Sequence, residues 1–325
     1  MSVRLATKAI EEFGHHKRTL LAPILRLATL LALCLILTLL SENFLTWNNI
    51  INVLRQSTML VVIGLGLTAV VLTAGIDLSV GGVLALVGCL TAQLLRSGVP
   101  IPLAMLIGIG VGAILGYFNG ILVGIIGLPP FVATYGTKWI AEGLALILMQ
   151  GQIIFGLPKA FRWIGAGYIW IIPAPIIITA VLALIFHILL SKTTIGYDIY
   201  ALGTNREAAF YSGINVRAVS LLVYTLSGIT AAIAGLLMTA RLDAAEVGMG
   251  EPFLMQGMAS VVMGGTSLMG GVGSIGGTII GALILTLVVN GLNLLGISSL
   301  VHNIVTGGVI LLAVFGDSVL RKYSE

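Results

Sequence analysis

The chain has 325 residues, of which 58% are apolar and 9% are charged. Because a soluble domain carries about 25% charged residues, this composition excludes a soluble globular fold and indicates a protein whose solvent is lipid. The net charge of +4 comes from basic residues near both ends and in one central polar segment, which indicates membrane topology rather than nucleic-acid binding.

Ten apolar segments approach the length of about 20 residues that a membrane-spanning helix needs. They cover residues 20–41, 57–76, 79–95, 101–126, 131–150, 173–190, 218–240, 254–270, 274–296 and 299–317. The second and third nearly touch and glycines interrupt the eighth, so each is a candidate for a discontinuous or re-entrant element. We therefore predict an all-α polytopic membrane protein with one transmembrane domain over residues 20–317, between cytoplasmic tails at residues 1–19 and 318–325.

An even number of spans places both ends of the chain on one side of the membrane. Cytoplasmic ends put nine basic residues inside and five outside, in agreement with the positive-inside rule. The inside set is Arg4, Lys8, Lys17, Arg18, Lys192, Arg206, Arg217, Arg321 and Lys322, and the outside set is Arg55, Arg96, Lys159, Arg162 and Arg241. The sequence of residues 118–121 resembles that of residues 289–292, and the two segments lie in spans predicted to run in opposite directions. This similarity would suit two inverted five-helix halves.

Polar groups inside the apolar segments are costly and therefore informative. Asp77 and Ser79 lie between glycines where the second span gives way to the third, as in a broken helix. Asp77 either caps the start of the third span or lines a polar pathway. The other candidates for a pathway are Gln56, Asn119, Glu142, Asn290 and Asn293, although hydrogen bonding between helices explains them equally well.

Two loops separate the spans most clearly. Residues 151–172 form the longest predicted external segment, and its aromatic residues fit either an interfacial belt or a docking surface. Residues 191–217 form the only long internal loop. Thr204 and Glu207 have the spacing of a capping box and Gly213 is a natural helix stop, so we predict a short helix over residues 205–212. Its exposed Phe210 and Tyr211 suit the groove of a partner.

The sequence contains none of the common catalytic motifs: no phosphate-binding loop, no His-Glu-x-x-His and no Gly-x-Ser-x-Gly. Two cysteines are too few for a disulfide framework or a zinc site. We therefore expect no catalytic residues, no metal site and no enzymatic activity.

Five motifs in order resemble the permease subunits of ribose-type monosaccharide importers in the ABC superfamily, within the branched-chain amino acid and ribose permease family. They are residues 43–46 with Asn48, Asn49 and Asn52, then residues 75–81, 201–215, 264–268 and 290–296. The family's internal motif usually reads Leu-Gly-Gly-Asn-Glu. This chain has Thr204 and Arg206 within that motif, which leaves the coupling role in place but bears on the choice of ATPase.

The resemblance implies a transmembrane subunit that moves a monosaccharide by alternating access across a bacterial inner membrane. It implies three partners: a cytoplasmic ATPase that binds ATP and Mg²⁺, a periplasmic sugar-binding protein, and a second permease copy or homologue. The expected coupling residues are Leu202, Gly203, Thr204, Asn205, Arg206, Glu207, Ala208, Phe210, Tyr211 and Gly213. The alternatives are an ion-coupled secondary sugar transporter and an ABC permease for a different small polar solute.

Overall fold

A computed structural model describes residues 24–298, 300–309 and 311 of the chain. The predicted tails and the outer ends of the first and last predicted spans lie outside these residues. The helices are α1 (Ile24–Leu40), α2 (Trp47–Leu72), α3 (Val80–Arg96), α4 (Ile101–Gly120), α5 (Pro130–Met149), α6 (Lys159–Ala166), α7 (Ala174–Lys192), α8 (Thr194–Thr204), α9 (Arg206–Tyr211), α10 (Val216–Leu242), α11 (Glu251–Met263), α12 (Ile275–Leu294) and α13 (Leu300–Val309).

The remaining regular structure is small. A π-helical turn, Ile121–Ile125, extends α4, and a 3-10 turn, Val247–Gly250, precedes α11. Four two-residue strands form two antiparallel pairs: β1 (Ile154–Phe155) with β4 (Ala244–Ala245), and β2 (Tyr168–Ile169) with β3 (Ile172–Pro173). The fold is therefore the all-α polytopic membrane architecture that the composition predicts.

Each predicted span overlaps one described helix. Five of the described helices are long and apolar enough to cross a membrane: α2, α4 with its extension, α7, α10 and α12. Two of the described helices depart most clearly from their predicted bounds. The helix α2 begins at Trp47 because the Thr46 side chain accepts the Asn49 N–H as an N-cap. The helix α11 ends at Met263, before Gly265, which adopts a φ of +80°. The glycine break predicted in the eighth span is thus present.

The centre of the bundle consists of α2 and α10, which pack against each other. The helix α2 is buried without interruption from Ser57 to Leu72. The helix α4 of the first half packs on α10, the central helix of the second half. The helix α12 of the second half packs on α2, the central helix of the first half. This exchange fits two related halves, and their inverted relation stays a prediction.

The glycine ridge of α4 lets its backbone approach α10 closely. A Cβ added at Gly112 would lie 2.6 Å from the Gly228 carbonyl oxygen, and one at Gly120 would lie 2.7 Å from Leu221 Cα. Real Cβ atoms do not come so close to backbone, so only glycine fits at these positions. Because lipid gives helices no hydrophobic reason to associate, such close packing holds the bundle together.

The predicted internal loop contains two helices, α8 and α9, rather than one. The predicted capping box is not formed: Asn205 is the N-cap of α9 and accepts the Glu207 and Ala208 N–H groups at 3.0 and 2.9 Å. Thr204 belongs to α8 and donates its hydroxyl to the Tyr200 carbonyl at 2.9 Å. The predicted stop is present, because Gly213 follows α9 with a φ of +88°.

Candidate functional site: a buried polar hub and an exposed terminal helix

The break between α2 and α3 carries a buried carboxylate. After Leu72 the chain leaves the helix, and Ala74 takes a φ of 58°, a region that non-glycine residues seldom occupy. Asp77 follows, and its Oδ1 accepts the Ser79 N–H at 2.9 Å and the Ser79 hydroxyl at 2.6 Å. Asp77 Oδ2 accepts the Ser227 hydroxyl of α10 at 2.7 Å. Asp77 therefore holds Ser79, the residue that precedes α3, and also ties the break to the central helix α10; it does not cap α3, which has no side-chain cap.

The hydrogen bonds continue from Ser79 into α4 and α5. Asn119 Nδ2 donates to Ser79 Oγ at 2.9 Å, and Thr137 Oγ1 donates to Asn119 Oδ1 at 2.6 Å. We call the set Asp77, Ser79, Asn119, Thr137 and Ser227 the Asp77 hub. No side chain in the hub is more than 1% exposed. In this conformation the hub is a closed network that joins four segments, and none of its groups lines an open pathway.

The other predicted pathway residues lie elsewhere. Asn290 forms a reciprocal amide pair with Asn49, at 2.8 and 3.2 Å. Asn293 is exposed, and its described side-chain hydrogen bond lies within its own helix, to the Val289 carbonyl. Gln56 is half-buried on α2. The structure therefore brings Asp77, Ser79 and Asn119 together and leaves the remaining candidates in separate places.

Glu142 is the last predicted pathway residue. Its carboxylate lies 3.3 Å from the ammonium of Lys138, one turn earlier on α5, as their spacing predicts.

Ser227 and Thr137 are hub residues that sequence reasoning missed. Ser227 precedes Gly228, whose backbone touches α4. A small hydroxyl beside a glycine at a close helix crossing is a local signal for interhelical hydrogen bonding. Thr137 carries no such signal, because a threonine in a membrane helix most often bonds to its own backbone, as Thr137 also does with Ala133.

The predicted coupling residues divide into a buried anchor and an exposed helix. Leu202 on α8 is buried, and a Cβ at Gly203 would collide with the Leu72 carbonyl oxygen and lie 2.5 Å from the Gly271 nitrogen. The Tyr200 hydroxyl donates to the Gly273 carbonyl at 2.9 Å, and burial raises the pKa of that phenol, which keeps it a donor. The helix α8 is thus fastened to the end of α2 and to the loop before α12.

The helix α9 projects away from this anchor. Phe210 and Tyr211 are 65% and 78% exposed, and their rings contact each other edge to face at 5.7 Å. A cavity of about 930 Å³ opens between α9 and the turn after α4. Its lining includes Ile125, Gly127, Arg206, Glu207, Phe210 and Arg217. Aromatic side chains such as these are among the residues that most often anchor protein interfaces.

On the opposite side of the bundle, residues 151–172 are folded rather than extended. Phe161 of α6 is fully buried, and Arg162 pairs with Asp243 at 3.0 Å. Asp243 also accepts the Leu157 N–H at 2.7 Å. Trp170 in the β2–β3 hairpin is 95% exposed, so one part of this segment is core and another part is free for contact.

The fold and these two sites define a multi-pass membrane protein with a polar hub at a broken helix and an exposed helix at one end. Residues 49–314 match the family described as branched-chain amino acid transport system / permease component. The chain belongs to this family and is a translocation subunit. Among the described residues no group of His, Cys, Asp and Glu side chains could hold a metal ion.

Curated relatives cover most of the chain. It is 44% identical over 290 residues to the ribose import permease protein of Bacillus subtilis (strain 168). The matched residues are 89% of this chain and 90% of the Bacillus subtilis protein. It is 43% identical over 282 residues to the D-allose transport system permease protein of Escherichia coli (strain K12), or 86% of each chain. The galactofuranose transporter permease protein of the same organism is 36% identical over 262 residues, 80% of this chain and 77% of its own. No solved structure matches the chain significantly.

Proposed function

We propose that the chain is the transmembrane subunit of an ATP-driven importer for a monosaccharide. The observation that carries this proposal is the similarity, over nearly the whole chain, to permeases named for ribose, D-allose and galactofuranose. All three solutes are neutral sugars, and the hydroxyl and amide side chains of the Asp77 hub are chemically suited to exchanging hydrogen bonds with a polyol if the helices separate.

The proposal assigns each end of the bundle a partner. A cytoplasmic ATPase, which binds ATP and Mg²⁺ itself, docks on Phe210 and Tyr211 of α9 and beside the adjoining cavity. A periplasmic sugar-binding protein docks on the other side, where the exposed Trp170 lies. A second permease copy or homologue completes the pathway. In this arrangement both ends of the chain are cytoplasmic and the membrane is the bacterial inner membrane.

The anchor of α8 supplies a mechanical route for coupling. Only Asn205 separates α8 from α9, so movement of α9 by the ATPase is passed to Gly203. Gly203 abuts the last carbonyl of α2, and residues 73–79 follow directly, ending in the Asp77 hub. Closure of the ATPase would therefore shift the broken helix against α4, α5 and α10, which is the change that alternating access requires.

An ion-coupled secondary transporter would need a chain of ionisable groups through the bundle. Asp77 is bonded to serine side chains and to one backbone N–H, and the described contacts of Glu142 are with Lys138. Neither contact links the two acids, so nothing in this arrangement favours the rival mechanism.

Reconstitution into vesicles with the cognate ATPase and binding protein tests the proposal. Uptake of radiolabelled ribose or allose should require ATP and the binding protein, whereas an imposed proton or sodium gradient should drive none. L-leucine serves as the control solute, because the family's description names branched-chain amino acid transport. Sugar uptake driven by an ion gradient without ATP would overturn the proposed function.

A further inference from the structure

Two helix breaks meet at the end of α2. The first is residues 73–79, between α2 and α3, and the second is the α11–α12 loop, residues 264–274. The Gly271 N–H of this loop donates to the carbonyl of Leu72, the last residue of α2, at 2.9 Å. Because the last carbonyls of a helix have no partner within it, the second break satisfies an acceptor that the first break leaves open.

The α11–α12 loop also holds the end of α8. The Tyr200 hydroxyl crosses from α8 to the loop and donates to the Gly273 carbonyl at 2.9 Å. A Cβ at Gly271 would lie 2.6 Å from Thr204 Oγ1, and Gly271 has a φ of +72°, so a side chain there would be both crowded and strained. Gly203, which abuts the last carbonyl of α2, lies against the Gly271 nitrogen as well. The end of α8 therefore contacts both breaks at one point.

The loop is closed on itself and is tied to the start of α12. The Ser267 N–H donates to the Val272 carbonyl at 2.8 Å, which closes a tight turn. Near the start of α12, the hydroxyl oxygen of Thr278 lies 2.6 Å from that of Thr68 on α2, and both residues are buried. A displacement of the loop at Gly273 is therefore passed to α12 and α2 rather than absorbed by slack chain.

Tyr197 and Tyr200 lie one turn apart on α8 but have different surroundings. Tyr197 is 73% exposed, and no described hydrogen bond comes from its hydroxyl. Tyr200 is half-buried, and its hydroxyl bonds to a carbonyl 73 residues further along the chain. Because a hydrogen bond is directional, it fixes the relative position of two elements that contact through a ring alone would allow to slide.

We propose that Tyr200 is a positioning residue for transport, which ties α8 to the α11–α12 loop so that both helix breaks move with α8 as one unit. This inference rests on the proposed function, in which the ATPase moves α9 and α8. Through Gly203 alone, α8 would act on the end of α2. Through Tyr200 it also acts on the start of α12, so the two halves of the chain shift together against the Asp77 hub.

The coupling ratio of the complete transporter tests the role of the Tyr200 hydroxyl. The ratio is the sugar taken up per ATP hydrolysed, measured in vesicles with the ATPase and the binding protein. Tyr200→Phe keeps the ring and removes the hydrogen bond. It should lower the ratio about fivefold, which corresponds to about 1 kcal/mol, the usual worth of one hydrogen bond. Tyr197→Phe, the matched control on the same helix, should leave the ratio at the wild-type value.

Distances between spin labels show whether α8 and the loop move together. Tyr197 on α8 and Met269 in the loop are 73% and 83% exposed, so both accept labels after replacement by cysteine in a background without the two native cysteines. The distance between these labels should stay the same with and without ATP, and should change with ATP once Tyr200→Phe is added. A second pair, at Tyr197 and the exposed Lys159 of α6, should change with ATP in both backgrounds, because it reports the movement of α8 itself.

The outcomes separate the two proposals. If Tyr200→Phe lowers the unfolding temperature but leaves the coupling ratio at the wild-type value, Tyr200 only stabilises α8 and the inference is wrong. A distance between Tyr197 and Met269 that changes with ATP in the wild-type background would also overturn it, because the breaks would not move as one unit. Both results leave the importer intact. If wild-type vesicles show no ATP-dependent uptake, the proposed function fails and the inference fails with it.

Discussion

Asp77 allows the role of the hub to be measured. Replacement by alanine removes the acceptor from three buried donors: the Ser79 N–H, the Ser79 hydroxyl and the Ser227 hydroxyl. The Ser79 N–H cannot reorient, so it is left buried without an acceptor and the full desolvation penalty is lost from the stability. The two hydroxyls can rotate toward backbone carbonyl oxygens instead. The free energy of unfolding should fall by about 2–5 kcal/mol.

Asp77→Asn is the matched variant. Its Oδ1 still accepts from Ser79, and its Nδ2 can donate to the Ser227 oxygen, while the burial of a charge is relieved. The stability should therefore stay within about 1 kcal/mol of wild type. Because a neutral asparagine lacks the charge that strengthens these bonds, sugar uptake should fall moderately in Asp77→Asn and nearly vanish in Asp77→Ala.

The assay follows thermal unfolding of purified protein in detergent and sugar uptake in vesicles. Glu42→Ala, an exposed acid outside the hub, is the control and should match wild type in both measurements. If Asp77→Ala unfolds at the temperature of Asp77→Asn, the three donors do not depend on the carboxylate. Full uptake by Asp77→Ala would remove Asp77 from the transport mechanism altogether.

Three further predictions concern the ends of the bundle. Replacing Phe210 and Tyr211 together by alanine should leave the permease folded but weaken ATPase binding about 100-fold. This corresponds to a loss of about 2.7 kcal/mol, as expected when interface aromatics are truncated. Co-purification of the ATPase at the wild-type level would refute this prediction. Gly203→Ala should force α8 away from the end of α2, so the ATPase still binds but sugar no longer stimulates hydrolysis; normal stimulation would show that the close contact is not part of coupling. Asn290→Leu alone should destabilise the protein by about 1 kcal/mol, because the oxygen of the half-buried Asn49 amide loses its donor, while the Asn49 Nδ2 still donates to the Phe44 carbonyl. Asn49→Leu combined with Asn290→Leu should recover much of that loss in thermal unfolding, and strictly additive effects would argue against the amide pair.

Local patterns predicted the elements of this protein well. Apolar run length located the helices because each spanning helix must satisfy its own backbone in lipid, so a span is a property of one segment. The same holds for Gly213, whose stop depends only on backbone conformation. The start of α2 at Trp47 was not predicted, because the polar amide side chains that follow it lower the apolarity of that segment. The capping contact between Thr46 and Asn49 marks this start.

What the sequence by itself determined was therefore the class of protein, its helices and the family to which it belongs. Only the tertiary structure decided which polar groups meet. Asn119 and Asn293 look alike as amides within apolar spans, yet the first is buried in the hub and the second is exposed. In a membrane bundle both the lipid face and the protein face of a helix are apolar, so periodicity does not reveal how the helix is rotated. Ser227 and Asp77 are 150 residues apart, and packing of α10 against the broken helix alone brings them to 2.7 Å.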